Sequence, residues 1–336
     1  MLFTTHIVRA MKVGSVKRKR SAKGNMADTQ INKKIPLENI DRRAMEKSTW
    51  IMHKFIEREK FETVEDANKF IAKIYNSEKI DSYVPDNPED RAQMMAYDAC
   101  LKTGNARREM ALKALEISED CADAYVILAE LERNPLTKID LYRKAYAAAR
   151  KSLGEEIFTE SRGDFWKIIG TRPYMRAQEG LALSLWNSGS MDEAKSIYEE
   201  LLDLNPDDNQ GVRYSLLLIY MMEGDAVGAE ELLDTYDEDS ADWDYNRSLL
   251  LFKKSGATME SQTALREAFA SNIYVPAMLV GAIDIPGRSN YITPGQPDEA
   301  SSYVRSCGAL WLENEDALTW MIGEFEQYLG QKGGPA

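Results

Sequence analysis

The chain offers two histidines, His6 and His53, and three cysteines, Cys100, Cys121 and Cys307. Ser-His-Asp and Cys-His catalysis each need an imidazole as base, and zinc sites built on histidine need several as ligands. His6 lies in a basic leader and His53 beside Met52, Phe55 and Ile56, so His53 reads as a structural or surface residue. The cysteines are odd in number, far apart and without a Cys-x-x-Cys pair, which argues against a disulfide framework or thiolate zinc and fits a reducing, cytoplasmic setting. The acidic run Tyr236 to Asp239, with Asp242 and Asp244, carries oxygens that suit a hard cation. It lacks the D-x-D-x-D-G spacing and the distal Glu of a calcium loop, so a solvated turn is the expectation. Neither G-x-x-x-x-G-K-S/T nor G-x-G-x-x-G occurs. No catalytic residue, metal ligand or cofactor is therefore assigned, and an enzyme is the disfavoured reading.

If no side chains converge on chemistry, the elements must account for the sequence. The chain has 336 residues, 44% apolar and 29% charged, which is the composition of a globular protein. Its 42 basic and 55 acidic residues give a net charge of −13. Residues 1–34 hold nine basic residues and one acid, Asp28, so the remainder is more acidic than the whole. Such a body repels phosphate backbones, excludes nucleic acid as a partner of the main fold and favours a basic partner. The longest apolar runs, Ser215 to Met222 and Val275 to Ile283, fall short of the ~20 residues of a spanning helix, so no membrane segment is expected.

Residues 1–34 lack the apolar stretch of a secretory signal. A basic address around Lys17 to Arg20, an organellar transit peptide, and a start of translation at Met26 are the readings left open. The last follows from Lys23-Gly24-Asn25, whose codons resemble a purine-rich ribosome-binding sequence. Low apolar content predicts disorder in this leader.

Beyond it the sequence repeats itself. Leu181, Leu216 and Leu251 recur every 35 residues, as do Gly189 and Gly224, and Ala194, Ala229 and Ala264. In Arg176 to Asp208, apolar positions 181, 185 and 186 mark one helix and 194, 197, 198, 201 and 202 a second. Gly189 ends the first, Asp192 and Glu193 complement the dipole of the second, and Asn205-Pro206 closes it. Small residues at Ala182 and Ala194 permit close approach of the two helices.

A turn glycine followed by a small residue, an aromatic and a proline resembles the tetratricopeptide repeat, and Ala122 to Glu130 opens another repeat in the same frame. The resemblance implies an all-α, right-handed superhelix of antiparallel helix pairs over residues 85–312, with hairpins at 88–121, 122–153, 175–208, 210–244, 245–279 and a degenerate one ending at Trp311. Residues 154–174 read as an insertion and 283–296 as a loop. Residues 41–60 and 63–80 carry helical patterns, with Met45, Trp50, Ile51 and Phe55 as the apolar stripe of the first. They read as an amino-terminal cap within residues 35–84, and a helix near 314–330, within residues 313–336, as a carboxy-terminal one. More narrowly, the segments around Ile117 to Glu130, Gly163 to Ala177 and Leu204 to Leu217 resemble the suppressor-of-tumorigenicity-seven family. Its animal members have membrane segments, which this sequence lacks, and the resemblance brings no catalytic activity.

In tetratricopeptide arrays the first helix of each pair lines the groove that holds a partner. By that resemblance the groove positions are Asp123, Val126, Glu130 and Arg133, then Arg176, Glu179, Leu183 and Trp186, then Tyr214, Leu218 and Met221, and Asn246. Trp186, Tyr214 and Met221 would anchor a peptide or protein, with the charges setting register. Packing between repeats competes for the apolar residues, and a simple intrahelical pair competes for Arg176 and Glu179. The Lys and Asn carboxylate clamp of chaperone-binding repeats is absent, since Val126, Glu130, Glu179 and Leu183 stand in its places. In the insertion, Phe165, Trp166, Arg172, Pro173 and Tyr174 read as packing before binding. The functional expectation is a scaffold or adaptor. The alternatives are a regulatory or chaperone-like subunit and, less favoured, an enzyme with an unrecognised site.

Overall fold

The computed structural model describes residues 41–75, 77, 80, 82–289 and 291–332, so the leader and its three readings lie outside the described residues. Among them are sixteen α-helices and no strand. They group into two compact units divided between Arg213 and Tyr214.

In the first unit, α1 (Arg42–Glu57) and α2 (Val64–Tyr75) precede three hairpins: α3 (Pro88–Ala99) with α4 (Gly104–Ile117), α5 (Ala122–Leu131) with α6 (Pro135–Leu153), and α8 (Arg172–Asn187) with α9 (Met191–Leu204). Capping starts these helices where the sequence supplies it. Asn87 and Asn134 each precede a proline and accept hydrogen bonds from backbone N–H groups of the first turn. Gly189 turns α8 into α9 at φ 90°, and Gly224, 35 residues on, has φ 73°, a backbone shape that L side chains resist. Gly180 on α8 lies against the Tyr142 ring of α6, where an added Cβ would come within 2.2 Å of the ring. The two helices can meet this closely only because position 180 carries no side chain.

The insertion folds into α7 (Ile157–Glu160) and two 3-10 turns, Phe165–Lys167 and Ile169–Thr171. Phe158 and Phe165 are buried and pack on Tyr174 at ring distances of 5.0 and 6.0 Å. Trp166 lies under the Arg172 guanidinium at 5.0 Å. The aromatics of the insertion are thus used in attaching it to the hairpins.

The second unit holds α10 (Val212–Glu223) from Tyr214 onward, α11 (Ala226–Thr235), α12 (Ala241–Ser255), α13 (Met259–Ser271), α14 (Tyr274–Leu279), α15 (Pro297–Leu312) and α16 (Glu315–Lys332). Here the hairpins are offset from the boundaries read in the sequence. Ser240 caps Trp243 N–H and starts α12 four residues before position 245, so that α13 closes the pair at Ser271 and α14 begins the next. Ala229 and Ala264 are buried on α11 and α13, as Ala194 is on α9 in the first unit, so the periodic alanines occupy one setting, the second helix of each pair. Phe325 and Tyr328 of α16 pack on Phe269, and Trp320 stacks on Phe252 at 4.5 Å.

Candidate functional site

The first helices of the hairpins carry the polar cluster of the first unit. Asp123, on the opening turn of α5, accepts two hydrogen bonds from the Arg176 guanidinium of α8, at 2.9 and 2.7 Å, and one from Gln93 of α3 at 2.7 Å. Burial opposes the charge of Asp123, but Arg176 outweighs it and holds the carboxyl below its ordinary value. Arg176 is pushed the other way: burial disfavours its charge, and Asp123 with Glu46 more than restores it. This corrects the intrahelical alternative, because Arg176 spans helices while Glu179 accepts from Gln210 Nε2 at 2.5 Å. Burial raises the Glu179 carboxyl above its usual range.

Glu46 comes from α1. It accepts from Arg172 at 3.0 Å, from Arg176 at 3.1 and 3.2 Å, and from the Tyr97 hydroxyl of α3 at 2.9 Å. Further along α1, Lys47 pairs with Asp98 at 2.6 Å and Lys54 with Asp90 at 3.1 Å. The partner number falls along α3 as it rises along α1, so the two helices run antiparallel. At the start of α1, Arg43 and Arg107 both donate to Glu130 at 2.8 Å and to Asp41 at 2.6 and 2.9 Å. Burial disfavours the charges of Asp41 and Arg43. Their mutual hydrogen bond overcomes this, leaving the Asp41 carboxyl well below its usual range and the guanidinium firmly charged. Trp50 and Ile51 are buried with Tyr83, Tyr97 and Ile169.

Helix α1, expected within an amino-terminal cap, packs beside α3 and reaches the end of α5 and the start of α8 through the side chains of Arg43 and Glu46. Met45, read as part of its apolar stripe, is 64% exposed, because the face that meets the hairpins is the one bearing Arg43, Glu46, Trp50 and Lys54.

The other expected groove residues scatter. Val126 is buried, while Arg133 and Leu183 are exposed and Trp186 is half-buried. In the second unit, Tyr214 is half-buried, edge-on to Trp243 at 5.4 Å, and donates to Glu238. Leu218 is half-buried and Met221 buried. Asn246 is buried, accepts from the Tyr303 hydroxyl at 3.1 Å and donates to Cys307 Sγ at 3.6 Å. Met221 and Asn246 therefore pack inside that unit.

The acidic run is not wholly solvated. Burial, reinforced by Glu299 and Glu238, pushes the Asp242 carboxyl up to about 7. Glu299 accepts from Ala241 N–H, Asn272 Nδ2 and Gly295 N–H. Among the described residues no group of three or more His, Cys, Asp or Glu is placed to hold a metal ion. Burial pushes the Cys100, Cys121 and Cys307 thiols up to about 12, so all three stay protonated and weakly nucleophilic at neutral pH.

Sequence reading missed Arg43, Glu46 and Arg172 as network members. The signal was present: Arg43 and Glu46 are three apart on a helical pattern and share a face.

Residues 185–250 match the family model of the tetratricopeptide repeat, and with the helix pairs on either side they give the chain an all-α, tetratricopeptide-like repeat fold. Such repeats generally mediate protein–protein interaction. No curated protein matches the chain, and the narrower resemblance to the suppressor-of-tumorigenicity-seven family gains no support. No helix among the described residues is long and apolar enough to cross a membrane.

Proposed function

We propose that the chain is a non-enzymatic scaffold or adaptor that binds a protein or peptide on the first helices of its hairpins, in the reducing environment of the cytoplasm. The observation that carries this reading is the face of α8. Its amino-terminal half is engaged by ion pairs, whereas Leu183, 48% exposed, and half-buried Trp186 lie beyond them on the same helix. An accessible apolar pair beside fixed charges is the usual make-up of a binding hot spot with its polar rim. The acidic body supports a basic partner, and the three protonated thiols suit a reducing compartment.

The test is affinity co-purification from the source cells with quantitative mass spectrometry, comparing wild type with Leu183→Glu and Trp186→Ala. Both variants should keep the helical circular dichroism and lose at least nine-tenths of the partner. Unchanged recovery from folded variants would refute this use of α8. A single enzyme as the dominant partner would make the chain a regulatory subunit rather than a scaffold.

A further inference from the structure

The seat under α1 points to the chemistry of the partner. Helix α1 lies outside the 35-residue pattern, yet it is held by the first helices of three hairpins, the surface expected to face a ligand. Its attachment combines ion pairs from Arg43, Glu46, Lys47 and Lys54 with an apolar side made of buried Trp50, Ile51 and Met52 and of Phe55, which packs on Tyr83 at 5.3 Å. The seat is also incompletely matched: Arg107 Nε of α4 is buried with no hydrogen-bond acceptor while α1 occupies it.

We propose that this seat is a binding site for an amphipathic helix of a partner protein, and that α1 is an intramolecular ligand the partner helix replaces. The seat defines what that helix must carry. A carboxylate has to reach Arg172 and Arg176. A large aromatic one turn later fills the place between Tyr83 and Tyr97, and basic residues on either side meet Glu130, Asp98 and Asp90. An added acceptor reaching Arg107 would let the partner bind better than α1 does. A tethered segment competes at an effective concentration in the mM range, so a free helix of α1's own sequence is held off until the tethered copy is weakened. The inference rests on the protein-binding reading but uses a different surface from Leu183 and Trp186.

The probe is a fluorescent peptide with the sequence of residues 41–58, titrated by anisotropy against the full chain and against the full-length double variant Glu46→Gln/Trp50→Ala. The variant should bind the peptide at least tenfold more tightly than wild type. Binding should weaken when NaCl is raised from 0.05 to 0.5 M, and a peptide carrying Glu46→Lys should not bind. A folded variant that binds no better than wild type overturns the proposal, as does a wild-type dimer that the double variant dissolves, which would assign the seat to a second copy. Should the variant not fold, hydrogen exchange on wild type decides: residues 42–57 should open as a block, faster at high salt and ahead of α5 and α6. Exchange of α1 only at the global unfolding rate overturns the proposal. Unchanged co-purification by the folded Leu183 and Trp186 variants would remove the scaffold reading and leave the peptide result standing, and the reverse also holds, so the two failures are distinguishable.

Discussion

At the scale of single residues, the buried charges decide most. Arg176 holds two carboxylates, Asp123 and Glu46, from two other helices. A buried ion pair adds little net stability over a well-packed apolar alternative, but removing one partner strands the others. Arg176→Ala should therefore cost about 3–5 kcal/mol in urea unfolding. The Asp123 carboxyl is held below its ordinary value, so the folded state favours its ionised form. Its contribution is complete above about pH 4 and is lost as pH falls further. Asp123→Asn should be less stable than wild type at pH 7, by a margin that narrows toward pH 3. Asp242 has the opposite sign. With its carboxyl raised to about 7, the folded state retains a proton that the unfolded chain releases near pH 4, so stability falls as pH rises between the two. Asp242→Asn should match wild type near pH 4 and exceed it at pH 8, by on the order of 2–4 kcal/mol in matched denaturation curves. Equal midpoints at both pH values would show that Asp242 ionises freely.

At the scale of elements, close packing fixes where helices can meet. Gly180→Ala would drive a methyl group into the Tyr142 ring, and overpacking of this kind costs about 1–3 kcal/mol. Thermal unfolding should show that loss, and Tyr142→Leu should relieve part of it, so the two changes should not add. The hairpins were legible in the sequence because their signals are local. Gly189, Gly224 and the first-turn acids Asp192 and Glu193 each act within one or two turns of the chain, and Ala194, Ala229 and Ala264 repeat the same local setting every 35 residues. Helix α12 starts early because Ser240 caps it, a signal inside an acidic run that read as a turn. The seat of α1 was not legible, because Glu46 meets Arg176 across 130 residues of chain and no local pattern encodes that pairing. For the same reason Met221 and Asn246 could be numbered as groove positions and still pack inside, since burial at a given repeat position depends on its neighbours.

At the scale of the whole molecule, repeated hairpins leave long helical faces, and this chain covers one of them with its own helix. The charges behind the chain's net −13 are not spread as a uniform coat, since many are paired across helices in the first unit. Salt should therefore weaken the part-exposed Lys47–Asp98 pair of α1 before the buried Glu46–Arg176 pair. The central claim is that first helices receive partners and second helices do not. Hydrogen-exchange mass spectrometry of the full chain, with and without its co-purified partner, tests this directly. The account predicts new protection on α8 around Leu183 and Trp186, with α9 and α6 unchanged. Protection confined to α6 and α9, with α8 unaffected, would contradict it.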